Sequence, residues 1–123
     1  MNIKIIELGI MHLNDCINLD QKSLNGLLSN SQWKKELSNP KRICLGALDV
    51  DAKKIIGICS AWKILDELNL TLLAVDPLHL RKGIGKLVLS NLIKRSKLIH
   101  INKIFLEVKD SNEPAMALYE SIG

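Results

Sequence analysis

The sequence predicts a single α/β domain, a mixed and largely antiparallel β-sheet with one β-α-β crossover. Three observations carry this expectation. Between Arg42 and Val75 three strand-like runs follow one another with short polar turns between them, and such meanders pair antiparallel. From Ile84 to Ile99 the apolar residues switch to helical spacing, and a further strand-like run follows, so the unit closes as a right-handed parallel crossover. A chain of 123 residues, 47% hydrophobic, is enough for one core and crowded for two.

The elements follow in order. Ile3, Ile5 and Leu8 make a short first strand. Over residues 11–23, Leu13, Cys16, Ile17 and Leu19 fall at helical spacing until Asn25-Gly26 breaks the pattern. Ser31 is the expected cap of a second short helix that carries Trp33 and Leu37 and ends before Pro40. Residues 42–50, 54–65 and 68–75 are the meander, turning at Asp51-Ala52-Lys53 and Asp66-Glu67. Ile84, Leu87, Val88, Asn91, Leu92 and Ile99 give the crossover helix one main face. Residues 103–109 are a fifth strand. A last helix begins near Glu113, capped by Ser111 or Asn112, with Pro114 in its first turn.

Composition excludes several classes. The 22 leucines and 16 isoleucines are those of a packed protein, not a disordered one. Four aromatic residues are too few for a base-stacking platform, and a net charge of +4 suits anionic ligands without calling for nucleic acid. No apolar run approaches a membrane span, and the N-terminus lacks the pattern of a signal peptide. Cys16, Cys44 and Cys59 are odd in number, widely spaced and set in apolar runs, which points to free core thiols in a reducing, cytoplasmic setting. His12, His79 and His100 have no metal-ligand spacing with one another or with the cysteines, so no metal site is expected.

The strongest local motif is Val75-Asp76-Pro77 followed by Arg81-Lys82-Gly83-Ile84-Gly85-Lys86 at a helix start. Two glycines allow close backbone approach, and the first-turn amides and helix dipole favour an anion, so this segment reads as a phosphate or pyrophosphate cradle. An ordinary loop with solvated lysines fits the same residues. A Walker-type loop fails at Leu80 and Leu87, and a dinucleotide fingerprint fails at Val88. Glu107, in Phe105-Leu106-Glu107-Val108, is a candidate general base if its strand face is buried, and a solvated carboxylate if it is not. Tyr119, the single tyrosine, is a candidate acid or a core residue with its hydroxyl at the rim. Asn112 is a ligand contact or a helix cap, and Trp33 a packing residue or, less simply, a substrate platform.

Taken in order, Leu73-Ala74-Val75-Asp76-Pro77, Gly83-Ile84-Gly85, Leu106-Glu107-Val108, Ser111-Asn112 and residues 117–123 (Ala-Leu-Tyr-Glu-Ser-Ile-Gly) resemble the GNAT superfamily of acetyl-CoA-dependent N-acetyltransferases. They look most like its RimI type, the ribosomal-protein-alanine N-acetyltransferases. The resemblance is specific from about Asp66 onward and collinear before it. It implies one GNAT-like domain over residues 1–123, with helices on both faces of the sheet. It also implies that acetyl-CoA is the co-substrate and that Leu73, Ala74 and Val75 pair with its pantetheine arm. Arg81, Lys82, Gly83, Ile84, Gly85 and Lys86 would hold its pyrophosphate, and Asn112 would contact it. Glu107 would take the proton of the acceptor amine, and Tyr119 would protonate the departing thiolate. The acceptor would be a protein N-terminus, the alanine of a ribosomal protein. A lysine or small-amine acceptor, or an inactive CoA-binding module, are the alternatives.

Two departures stand out. Leu80 occupies a place where the family carries Gln or Arg, which removes a side-chain contact to phosphate but leaves the backbone amide. The family also continues past Gly123 with further strands, so a domain shortened at its C-terminus is expected to leave the fifth strand with an open edge.

Overall fold

The computed structural model describes residues 1–106. Ile3–Glu7 (β1) is followed by a 3-10 turn at Ile10–His12 and by two helices, Leu13–Leu24 (α1) and Asn30–Ser38 (α2). The meander is Arg42–Asp49 (β2), Lys54–Ile64 (β3) and Glu67–Val75 (β4). A 3-10 turn at Pro77–His79 leads to Ile84–Leu98 (α3) and then to Lys103–Leu106 (β5). The five strands form one sheet in sequence order, antiparallel from β1 to β4, with β5 added parallel to β4. The mixed sheet and its single crossover are as the hydrophobic periods predict.

The sheet separates two apolar layers. On one face α3 lays Ile84, Val88, Leu89 and Leu92 against Leu45, Ala47, Ile56, Leu68, Leu70 and Leu73. On the other, α1 and α2 bury Cys16, Leu19 and Trp33 against Cys44, Ile55, Ile58, Leu72 and Ala74. Gly57 lets α3 come close: a Cβ there would sit 2.8 Å from Cγ2 of Ile84.

Simple alternation does not account for this division, because two bulges interrupt it. In β4, Leu68 and Leu70 face α3, whereas beyond Thr71 it is Leu73 that faces α3 while Leu72 and Ala74 face the other layer. The register explains the change: Ala61 pairs with Leu70 and Ser60 with Leu72, leaving Thr71 as the extra residue. Ile56 plays the same part in β3, between Ile55 opposite Leu48 and Gly57 opposite Ala47.

The link between α1 and α2 is organised by Asp20, a fully buried carboxylate. Its Oδ1 accepts from the Leu27 amide at 2.8 Å, and its Oδ2 from the Leu28 amide at 3.0 Å and the Trp33 indole at 2.9 Å. Asn25 and Gly26, both with positive φ, make the turn that brings these amides round. Trp33 is thus a packing residue with a satisfied N–H.

Three local expectations change. The cap of α2 is Ser29, not Ser31: Ser29 Oγ accepts from the Gln32 amide while the Gln32 side chain accepts from the Ser29 amide, a reciprocal box that Ser31 cannot make. The inner face of α3 is Ile84, Gly85, Val88, Leu89, Leu92 and Ser96, while Leu87 and Ile99 are more than a third exposed. Residue 84 seats on Gly57 and sets the rotation of the helix, which turns Leu87 outward. The first helix is also shorter than its apolar spacing suggests, because residues 10–12 form the 3-10 turn. Residues 107–109 of the predicted fifth strand, and the last helix with Asn112 and Tyr119, lie outside the described residues.

All three cysteines are free and buried, as predicted. Burial pushes the Cys16 and Cys59 thiols from 9.0 up to about 12 and raises Cys44 as well. A raised thiol pKa adds stability that is fully present below pH 9 and is lost as pH rises toward 12, since only the unfolded chain ionises there. At pH 8, alkylation of native Cys16 and Cys59 is therefore expected to run about a thousandfold slower than in denaturant, as read by mass spectrometry of iodoacetamide adducts. In urea titration, Asp20→Asn is expected to lower the unfolding free energy by about 2 kcal/mol and Trp33→Phe by about 1 kcal/mol, the first leaving buried N–H donors without an anionic acceptor.

Candidate active site

The candidate site begins where β4 ends. Leu73 and Ala74 are buried and Val75 is half-buried, so the strand arrives with its side chains committed to the two layers. The Asp76 amide donates to the Ile56 carbonyl at 2.9 Å, tying the strand end to β3. Asp76 is itself buried, and its Oδ1 caps the following turn by accepting from the Leu78 amide at 3.0 Å. Pro77 starts that turn without an amide to satisfy.

The chain then reverses through two left-handed residues, Arg81 at φ 63° and Gly83 at φ 77°. Gly83 is the N-cap of α3, and its carbonyl accepts the helix's first bond, from Leu87 at 3.0 Å. The amides of Gly83, Ile84, Gly85 and Lys86 therefore precede the helical ladder and point out of its positive end. Ile84 and Gly85 are buried and fix this end on the sheet, while the side chains of Arg81, Lys82 and Lys86 are exposed around it. No acidic side chain lies in the first turn of α3. A Cβ on Gly83 would meet nothing within 4 Å, so glycine is required there by the backbone angle and the space above it is open.

These features fit a diphosphate: free amides, a positive helix end, three flexible cations and room for backbone approach. Leu80 is half-exposed and contributes no polar group, so the polar groups of this segment are its amides and its basic neighbours. The structure thus brings Leu73, Ala74, Val75, Arg81, Lys82, Gly83, Ile84, Gly85 and Lys86 into one continuous stretch at the β4–α3 junction. Glu107, Asn112 and Tyr119 lie outside the described residues, and Leu106, which precedes Glu107, pairs with Leu70 at the edge of the β4 bulge.

A groove of about 300 Å³ opens beside this junction on the α1 side, walled by Asp15, Asn18 and Lys22 of α1, by Lys54 and Ile55 of β3, and by Asp76. It shares only Asp76 with the predicted segment and is separate from the amide cradle. Among the described residues no group of three or more His, Cys, Asp or Glu side chains is placed to hold a metal ion, and no helix is long and apolar enough to cross a membrane. Two features here lack a simple sequence signal: the bulge at Thr71 and the polar side chains that gather on it. The one trace is the shift from alternating burial at Leu68 and Leu70 to the unbroken run Leu72-Leu73-Ala74.

Comparison with known proteins gives this junction its context. The ribosomal protein bS18-alanine N-acetyltransferase of Escherichia coli strain K12 is 43% identical over 70 residues, which is 57% of this chain and 47% of that protein. The same enzyme from Haemophilus influenzae is 37% identical over 98 residues, 80% of this chain and 61% of its own length. The chain thus spans about half to three-fifths of the length of these curated relatives. Among solved structures, the ribosomal-protein-S18-alanine N-acetyltransferase of Escherichia coli superposes with a TM-score of 0.89 at 26% identity, covering 99% of this chain and 77% of its own. The PaiA N-acetyltransferase of Thermoplasma acidophilum, solved in complex with coenzyme A, superposes with a TM-score of 0.84 at 25% identity, covering 100% of this chain and 89% of its own. The model of the acetyltransferase (GNAT) family matches residues 12–123, and the chain belongs to that family.

Proposed function

We propose that the protein transfers the acetyl group of acetyl-CoA to a protein N-terminal amine, the N-terminal alanine of a ribosomal protein. The observation that carries this reading is the amide cradle between β4 and α3, in a chain 37% identical over four-fifths of its length to a bS18-alanine N-acetyltransferase. Acetyl-CoA supplies an activated thioester. The amides of Gly83, Ile84, Gly85 and Lys86 bind its pyrophosphate, with Arg81 and Lys82 compensating charge from the rim. The backbone of Leu73, Ala74 and Val75 pairs with the pantetheine arm, an amide of this strand polarises the thioester carbonyl, and Asn112 adds a side-chain contact.

The reaction is direct displacement. The acceptor nitrogen forms a bond to the carbonyl carbon and the carbon–sulfur bond breaks. Glu107 takes the proton released from the amine, directly or through one water, and Tyr119 delivers a proton to the leaving thiolate. The products are an N-acetylated chain and free CoA. No covalent enzyme intermediate is required, and the buried, protonated cysteines have no part in it.

Titration calorimetry with acetyl-CoA, followed by thiol release with a peptide that begins with alanine, tests this reading. Binding with thiol release is expected. Binding without release to any amine would leave a CoA-binding module, and no binding would reduce the cradle to a loop. Glu107→Gln is expected to cut turnover at least a hundredfold while acetyl-CoA affinity stays the same. Gly83→Ala is expected to weaken acetyl-CoA binding by about fivefold to tenfold, since the left-handed angle strains any Cβ at the helix start.

A further inference from the structure

The bulge in β4 sits under a closed polar network that the reaction scheme leaves unused. Thr71 is the extra residue of the bulge. Its Oγ1 donates to the Ser60 carbonyl at 3.3 Å and accepts from Nη1 of Arg42 at 3.2 Å. A hydroxyl has one hydrogen, so with that hydrogen given to Ser60 the oxygen is free to take the guanidinium. Arg42 is held in turn: its Nε lies 3.3 Å from Oε1 of Glu36, and its guanidinium stacks 4.5 Å from the ring centroid of Trp62. The second oxygen of Glu36 accepts from the Ser60 hydroxyl. Both side chains of the ion pair are largely shielded from solvent, Arg42 at 16% exposure and Glu36 at 11%. Side chains from α2, β2, β3 and β4 are thus joined at the point where β4 changes phase.

We propose that Arg42 is a positioning residue that, backed by Glu36, clamps Thr71 and thereby sets the path of residues 72–75. This deepens the acetyltransferase reading and rests on it, because Leu73, Ala74 and Val75 among them are assigned to the pantetheine arm. A bulge gives up local ladder bonds and is the softest point of a strand. It lies one residue before Leu72 and two before Leu73, so any freedom at Thr71 moves the backbone that meets the ligand. The geometry of the fork matters: Arg42 presents Nε to the carboxylate and Nη1 to the hydroxyl at once, which a lysine ammonium cannot reproduce in one fixed geometry.

Steady-state kinetics and amide hydrogen exchange on the whole protein test this. Thr71→Val and Arg42→Lys are each expected to raise the KM for acetyl-CoA about tenfold while the acceptor KM stays within about twofold. Both are expected to speed exchange at the amides of residues 72–75 about tenfold without ligand, with β1 and β2 unchanged. Thr71→Ser keeps the hydroxyl and is expected to match the unaltered protein. The double variant is expected to lose no more than either single one, since both break the same contact. An unchanged acetyl-CoA KM and unchanged exchange in the folded variants would overturn the clamp, and so would a Thr71→Ser protein as impaired as Thr71→Val. An unaltered protein that neither binds nor turns over acetyl-CoA would overturn the acetyltransferase reading and this role with it. That outcome is distinct, because it appears before any substitution is made.

Discussion

The change of phase at Thr71 is the constraint on which the rest of the molecule depends. A strand between two apolar layers must present alternate residues to each, and β4 does so twice over with opposite parity. Its first half gives even-numbered residues to α3, as the pairing with β5 from Glu67–Lys103 to Leu70–Leu106 requires. Its second half gives odd-numbered residues to α3. Without the extra residue, Leu72 and Ala74 would be pressed into the wrong layer, because a one-residue slip turns every side chain over. The bulge at Ile56 makes the matching adjustment in β3, next to the strand end from which the cradle leaves, where the Ile56 carbonyl accepts from the Asp76 amide.

Side chains and backbone divide the work at that exit. Ile84 and Gly85 go inward and carry the helix start on the sheet; the first-turn amides go outward, and the binding chemistry proposed for this segment falls to them. This division explains why Leu80 in place of a polar residue leaves the cradle's shape unaltered: the shape comes from the left-handed turns at Arg81 and Gly83 and from the Asp76 cap, none of which uses residue 80. It also explains why the three cysteines can sit close to the functional half of the sheet without taking part. Their environment holds them in the protonated form, and the reaction assigned to the family asks nothing of them.

Much of this was legible from residue order. Strand and helix periods are local, so the meander, the crossover helix and the parallel fifth strand follow from spacing alone. The cradle follows from glycine, proline and basic residues at a helix start. What was not legible depends on pairing across the chain. Asp20 looks like a polar residue in an amphipathic helix until the turn at Asn25-Gly26 brings two amides and the Trp33 indole onto it. Ser29 and Ser31 are equivalent caps by composition, and only the reach of Gln32 separates them. Bulges are set by partners on neighbouring strands, so Thr71 and Ile56 carry no mark of their own. Glu107, Asn112 and Tyr119 rest on the motif and stand apart from the residues whose geometry is described.

The contact of Ile84 with Gly57 has an energetic meaning beyond packing. Gly57 leaves room for one particular side chain, and that side chain belongs to the first residue of α3. The amides of the cradle exist as an array only while this residue is seated, since a helix start that lifts from the sheet frays and scatters its N–H groups. Docking of the crossover helix and assembly of the amide array are therefore a single equilibrium. On the proposed function, a ligand in the cradle would hold α3 to the sheet, and each tenfold excess of it over its dissociation constant would add about 1.4 kcal/mol to the same balance. A ligand bound there would, in that sense, be a structural member of the fold.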